Sequence, residues 1–183
     1  MVVVCNRLSA SASEIFAGAI KDYRRGVVIG DKTTHGKGTV QTLLPLKNSI
    51  PSDIVEDPGN LKFTIQKFYR VAGHSTQKDG VTPDIILPSV LNVLETGEAY
   101  LPNVMESDSI PAVDVEKVNR VMPYLSRLRV ASSSRVQKDQ DFKYISEDLE
   151  KVEEQLKDKS VSLNEADRRA DKKETKDKIE ARK

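Results

Sequence analysis

The chain is short of the residues on which several function classes depend. It has one cysteine, no tryptophan and two histidines in 183 residues. An internal disulfide is therefore excluded, and neither a CxxC pair nor a Cys/His cluster offers a structural zinc site. Cysteine usage leaves the compartment open. Charge of one sign is missing too: 29 Lys and Arg stand against 28 Asp and Glu, a formal net charge of +1. That balance removes the global electrostatic argument for nucleic acid or an anionic membrane as partner. No stretch approaches the roughly 20 consecutive apolar residues that span a bilayer, and no basic segment leads into an apolar one at the start as in a signal peptide. With 38% apolar and 31% charged residues, one modest core can be buried, but not two full-sized ones. One compact domain with an appendage is the first expectation.

What is present begins abruptly. Met1-Val2-Val3-Val4-Cys5 runs straight into an apolar β-rich stretch that reads as a buried parallel strand, which needs neighbours on both sides. The expectation is a fragment whose N-terminal part is missing. Ser11 to Tyr23 then carries Ile15, Phe16, Ala19, Ile20 and Tyr23 on one helical stripe. This predicts a helix packed on a sheet by that face, with Ser11-x-x-Glu14 in the spacing of a capping box. Val27-Val28-Ile29, ended by Gly30, reads as a second buried strand, so the first 30 residues form a βαβ unit with a right-handed crossover. Leu46 to Asn60, with Pro51, Pro58 and Gly59, is a loop or hairpin excursion. Leu61 to Val71 alternates apolar and polar residues as a long half-buried strand, and the packing of this half is expected to centre there.

Beyond Gly97 the pattern turns helical and polar. Asp114 to Met122 predicts a short amphipathic turn set ended by Pro123, which suits the first turn of the next helix. Phe142, Ile145, Leu149, Val152 and Leu156 step by three and four in a narrow stripe that should dock on something. From Lys157 onward more than half the positions are charged with mixed sign, a solvated helix or a disordered tail. Residues 1–98 and 99–183 are accordingly read as two regions.

Two short segments can carry chemistry. Asn6 to Glu14 is a small-residue bend between strand and helix, with Ser9, Ser11 and Ser13. Such a bend lifts a side chain to the carboxyl edge of a sheet, where a helix N-terminus offers N–H groups to a developing oxyanion. The plainer reading is an N-cap serine with small neighbours. The second segment, Gly30 to Thr39, superficially matches a phosphate-binding loop, but His35 stands where that motif wants Gly, and Gly38 where it wants Ser or Thr. A nucleotide-binding reading fails on spacing. Gly36 and Gly38 flank Lys37, and a lysine enclosed between glycines can act as a general base once desolvation favours the neutral amine. The plainer reading is a surface lysine in a Gly-rich turn. Cys5 reads as a small hydrophobe on a strand, with nothing nearby to activate a thiol.

Taken together, Ser9 to Glu14 (Ser-Ala-Ser-Ala-Ser-Glu), Gly36 to Gln41 (Gly-Lys-Gly-Thr-Val-Gln) and Gly80 to Ile85 (Gly-Val-Thr-Pro-Asp-Ile) resemble the ordered motifs of the tail-specific, or C-terminal-processing, serine proteases. Ile65 to Arg70 and Glu95-Thr96-Gly97-Glu98 look like the large periplasmic branch of that family. The resemblance is strong from Val2 to about Glu98 and weaker to about Leu163. It implies an α/β fold with a crotonase/ClpP-like protease core, present in part as βαβ plus antiparallel strands, followed by an all-helical C-terminal region.

For function, the resemblance implies a serine endopeptidase with a Ser/Lys dyad: Ser11 as nucleophile, Lys37 as base, Gln41 orienting the lysine, and Asp22 and Ala12 in support, without metal or cofactor. In a straight strand Lys37 and Gln41 lie about 13 Å apart at Cα, so contact between them needs a turn or bulge at Gly38. The sequence departs from the family in one place, the extra residue at Thr34-His35, which opens a rival assignment of His35 as base because imidazole works at neutral pH. His74 matches a strand-end turn and reads as structural or solvent-facing. The resemblance further implies a periplasmic enzyme acting on proteins with apolar C-termini, with no nucleic-acid partner, and associating with the inner membrane or an adaptor protein. A PDZ-like domain and a glycine-rich oxyanion segment are expected upstream, and this piece alone is expected to be inactive. The alternative is a catalytically incomplete helical interaction or scaffold module.

Overall fold

A computed structural model of the chain describes residues 1–50, 53–158 and 160–182; Pro51 and Ser52, two residues of the predicted excursion, lie outside them. The chain divides into two compact units, 1–149 and 150–183. In the first, β1 (Val2–Cys5), α1 (Ala12–Asp22) and β2 (Val27–Gly30) form the predicted βαβ unit, and β5 (Ile85–Ile86) completes a parallel sheet of order β1-β2-β5. Val3 lies opposite Val28 and Ile29 opposite Ile85. The core is small: Cys5, Ala17, Ile20, Val28 and Val81, with Val3 packed against them. Full burial of Ile20 or Val28 contributes about 1.5–3 kcal/mol each. The glycine that ends β2 is obligatory, because at Gly30 (φ +144°) an added Cβ would lie 1.7 Å from the Cys5 carbonyl oxygen.

Two expectations fail on packing, those for α1 and for the alternating strand. Among the described residues, β1 pairs with β2 alone. Its alternate residues Val3 and Cys5 face the core, while Val4 is 72% exposed. The helix α1 turns a different face to the sheet than its apolar stripe suggested: Ala17, Gly18 and Ile20 are buried, whereas Ile15 and Phe16 are 50% and 53% exposed. Gly18 is covered by the Arg70 side chain, whose atoms an added Cβ would meet at 3.2 to 3.3 Å. The alternating strand is real as β4 (Asn60–Lys67), but among the described residues it pairs only with β3 (Thr39–Pro45) in an antiparallel ribbon, and Leu61, Phe63 and Ile65 remain exposed. Packing therefore centres on the βαβ unit, not on this strand.

The helical region begins later than its pattern implied. Asp114 to Val121 forms no helix; a 3₁₀ turn at Met122–Tyr124 holds Pro123 and leads into α2 (Leu125–Lys138). The helix α3 (Gln140–Lys157) carries the predicted stripe, but none of its residues is fully buried. In the second unit, α4 (Glu165–Ala181) is a solvated helix, capped by the Asn164 side chain accepting from the Ala166 N–H at 2.9 Å. Lys151 and Glu174 pair at 3.1 Å within this unit. The observed architecture is mixed α/β followed by helices, and no helix among the described residues is long and apolar enough to cross a membrane.

Candidate active site

The bend after β1 is built by Asn6. Its Oδ1 accepts from the N–H groups of Leu8 (3.0 Å) and Ser9 (3.1 Å), a side-chain turn that reverses the chain before the helix. Ser11 then occupies the N-cap of α1 with φ 58° and ψ −112°. Few non-glycine residues adopt a positive φ, and holding one there costs on the order of 1–3 kcal/mol. A strained strand-to-helix turn of this kind exposes the side chain of its apex residue. The capping box expected from Ser11-x-x-Glu14 is present, and in it the Glu14 carboxylate accepts from the Ser11 N–H at 2.8 Å. The N–H of Ala12, at the first position of α1, has no protein acceptor among the described residues.

Glu14 does far more than cap. It is 0% exposed and accepts four hydrogen bonds. Beyond Ser11, they come from the Thr34 hydroxyl (2.5 Å), the Gly36 N–H (2.7 Å) and the Lys37 N–H (2.9 Å). The bonds from Ser11 and Lys37 fall on the same oxygen, Oε2. The two amide nitrogens are thus less than about 6 Å apart, the sum of the two bonds. This carboxylate joins the serine turn to the lysine loop.

The loop is gripped from its other side as well. Gln77, 1% exposed, accepts the Gly38 N–H on its Oε1 at 2.9 Å, and the Lys78 N–H donates to the Gly36 carbonyl at 2.7 Å. Both flanking glycines are required by space: a Cβ on Gly36 (φ +98°) would meet the Lys78 carbonyl oxygen at 2.6 Å, and one on Gly38 the Gln77 nitrogen at 2.4 Å. Side-chain acceptors thus hold three consecutive amides, 36 to 38. The half-buried Lys37 projects from a fixed backbone. Thr34 and His35, which lead into this loop, are themselves anchored. Thr34 is fully buried, donating to Glu14 and accepting from the Val81 N–H at 2.8 Å, while the His35 N–H donates to the Ser9 carbonyl at 2.9 Å.

The other predicted residues sit apart from this junction. Gln41 is exposed on β3, opposite Thr64. The register shift that the lysine–glutamine spacing called for falls between Val40 and Gln41 rather than at Gly38, and no hydrogen bond links Gln41 to Lys37 among the described residues. Asp22 ends α1, about 16 Å along the helix from Ser11. There its Oδ2 accepts from Arg70 Nε at 3.0 Å, and its Oδ1 accepts from a second guanidinium nitrogen. His35 directs its buried Nδ1 toward the Glu98 carboxylate, 3.7 Å away. His74 is exposed, its carbonyl accepting the Arg70 N–H at 2.9 Å. The buried Cys5 thiol is pushed above its ordinary pKa, chiefly by burial and then by the charges of Asp31 and Glu14. Its nucleophilic form is therefore disfavoured. Among the described residues, no group of three or more His, Cys, Asp or Glu is arranged to hold a metal ion.

Arg7 and Gln77 escaped the sequence reading, Thr34 and Glu98 entered it only as parts of motifs without a role, and Glu14 was legible only as a cap. Their partners lie 20 or more residues away, beyond any local signal.

Comparison with known proteins places both halves of the chain. Residues 1–87 match the family described as peptidase family S41, and residues 91–183 match the family described as the C-terminal domain of tail specific protease. The chain is 41% identical over 175 residues to the tail-specific protease of Haemophilus influenzae, covering 93% of this chain and 25% of that protein. It is 42% identical over 91 residues to a carboxy-terminal-processing protease of Bartonella bacilliformis, covering 50% of this chain and 19% of that one. With the chloroplastic C-terminal processing peptidase of Tetradesmus obliquus it shares 37% identity over 111 residues, 61% of this chain and 21% of the relative. A solved photosystem II D1 C-terminal processing protease aligns with TM-score 0.39 and 38% identity, over 47% of this chain and 20% of its own. The chain thus spans a quarter or less of the length of these relatives.

Proposed function

The chain belongs to the tail-specific protease family, with a peptidase family S41 stretch leading into the C-terminal domain of such a protease. From that premise we propose that it carries the Ser/Lys dyad of a serine endopeptidase. The observation that supports this reading is the Glu14 carboxylate, which holds the strained Ser11 turn and the Lys37 loop on one oxygen atom. In the proposed reaction the Ser11 hydroxyl attacks the scissile carbonyl while the Lys37 amine takes its proton. The tetrahedral oxyanion forms near the free Ala12 N–H at the positive end of α1, and collapse expels the amine leaving group, which takes a proton from Lys37. Water, deprotonated by the same lysine, then hydrolyses the acyl ester. Gln41, exposed on β3 without a bond to Lys37 among the described residues, takes no part in this step, and Asp22 supports the site at a distance by fixing the far end of α1 through Arg70.

The substrates proposed are proteins recognised through apolar C-terminal tails. The proposed compartment is the bacterial periplasm, and the partner is an adaptor protein or the inner membrane. Acyl transfer needs two or more oxyanion donors, so this chain by itself is proposed to cleave nothing measurable.

The test is a chimera in which this chain replaces the matched quarter of the Haemophilus influenzae protease, assayed on an unfolded protein ending in apolar residues. Ser11→Ala should lower cleavage by at least about three powers of ten with folding intact, and Lys37→Arg should do the same because guanidinium does not give up its proton. Retained activity in Ser11→Ala with loss in Ser9→Ala or Ser13→Ala would move the nucleophile. Activity in Lys37→Ala with loss in His35→Ala would make His35 the base.

A further inference from the structure

Glu95-Thr96-Gly97-Glu98 was conspicuous in the sequence, yet the dyad chemistry gives it no part. It belongs to the C-terminal-domain half of the chain, residues 91–183, while Ser11 and Lys37 belong to the protease half. The fold nevertheless threads this segment behind the two catalytic loops. The Thr96 carbonyl accepts from the guanidinium of Arg7, a buried residue of the serine bend whose other guanidinium nitrogen lies 3.4 Å from the Thr34 carbonyl. Gly97 (φ +115°) passes so close that a Cβ would meet the His35 carbonyl oxygen at 2.8 Å and the Arg7 guanidinium at 2.9 Å. Glu98 then grips the lysine loop. Its N–H donates to the His35 carbonyl at 2.8 Å, its Oε1 accepts from Gln77 Nε2 at 3.1 Å, and its Oε2 faces His35 Nδ1.

Gln77 is the relay in this arrangement. An amide side chain can turn its oxygen or its nitrogen toward the Gly38 N–H, and only the oxygen makes a bond. With Glu98 as an obligate acceptor on one side, the nitrogen is drawn there and the oxygen is left facing Gly38. The Met105 carbonyl, 3.3 Å from the same nitrogen, supports that choice. A carboxylate in the C-terminal domain thereby sets which way a buried amide points in the protease half, and that amide fixes the residue following Lys37.

We propose that Glu98 is a positioning residue for the Lys37 loop, acting through Gln77, so that the start of the C-terminal domain is a structural part of the catalytic site. This rests on the dyad assignment above for its meaning in catalysis, but not for its effect on the loop. The two are tested separately. Native-state amide hydrogen exchange on the 183-residue chain reads the loop: Glu98→Ala should speed exchange at Gly36 to Gly38 by about tenfold or more and leave Val28 unchanged. Glu98→Gln retains an acceptor oxygen for Gln77 and should restore most of the protection. Should Glu98→Ala fail to fold, the wild-type chain suffices, since the amides of Glu98 and Gly38 should then open together with the same urea dependence. Unchanged exchange at Gly38 in Glu98→Ala, or separate opening of the two amides, overturns the proposal.

In the chimera, Glu98→Ala should lower kcat about tenfold with KM within twofold. An unchanged kcat beside a loosened loop would also overturn it. Ser11→Ala retaining full activity would instead refute the dyad while leaving the exchange result to decide the loop.

Discussion

Replacing Glu14 by glutamine changes one atom of a buried side chain and should cost more than most surface deletions. Its two carboxylate oxygens receive four donors: the Thr34 hydroxyl and Gly36 N–H on Oε1, and the Ser11 and Lys37 N–H groups on Oε2. A glutamine has one acceptor oxygen and one donor nitrogen, so either rotamer points an NH₂ group at a backbone N–H. If the nitrogen takes the Oε1 side, Thr34 can rotate its hydroxyl to accept, but the Gly36 N–H is orphaned. In the opposite orientation both Ser11 and Lys37 lose their acceptor. An unsatisfied buried donor costs about 1–3 kcal/mol, and bonds to a charged group are the stronger ones. The first orientation is therefore favoured, with a net loss of about 2–3 kcal/mol.

Glu14→Ala removes all four acceptors and empties the site, for a loss of about 3–5 kcal/mol, a large fraction of a domain's 5–15 kcal/mol. Urea unfolding followed by circular dichroism at constant m-value measures both. Refutation would be a glutamine variant within about 0.5 kcal/mol of wild type, the ordinary range for surface substitutions. That outcome would mean the junction of serine turn and lysine loop does not depend on this carboxylate.

Two further expectations concern stability. The Cys5 thiol has its pKa raised by burial and by Asp31 and Glu14, so the native state keeps that proton when the unfolded chain has already lost it. Its contribution is complete below the ordinary thiol range and is lost as pH rises through that range toward the folded value. The unfolding free energy should fall more steeply above that range in wild type than in Cys5→Ala, and iodoacetamide should alkylate the folded chain at least tenfold more slowly than the urea-unfolded one. A native thiol as reactive as the unfolded one would contradict this. The Asp22–Arg70 pair, whose side chains are 7% and 16% exposed, should cost about 3 kcal/mol when either partner becomes alanine. A double-mutant cycle by denaturant unfolding should give a coupling above about 1 kcal/mol, and additive losses would show that the two groups do not act as a pair.

Local patterns were legible where a short stretch decides its own conformation. The apolar run of β1, the capped helix α1 and the apolar run of β2 declare a βαβ unit, because periodicity and capping act within a few residues. Gly36-Lys37-Gly38 announced a place where backbone must approach closely, and the three ordered motifs pointed to a family that the whole-chain comparison supports. Burial was not legible in the same way. Ile15, Phe16, Phe63 and Ile65 look like core residues and are exposed, because which face of an element is covered depends on partners supplied from elsewhere in the chain.

The site's scaffolding was the least visible of all. Glu14 reads locally as a cap, and only the fold brings residues 34, 36 and 37 to its carboxylate. Gln77 carries no pattern and Glu98 belongs to a motif whose role no local signal gives, yet they meet at 3.1 Å behind Gly38. Hydrogen bonds between polar side chains and distant backbone have no period in sequence, so their existence is decided by tertiary contact alone.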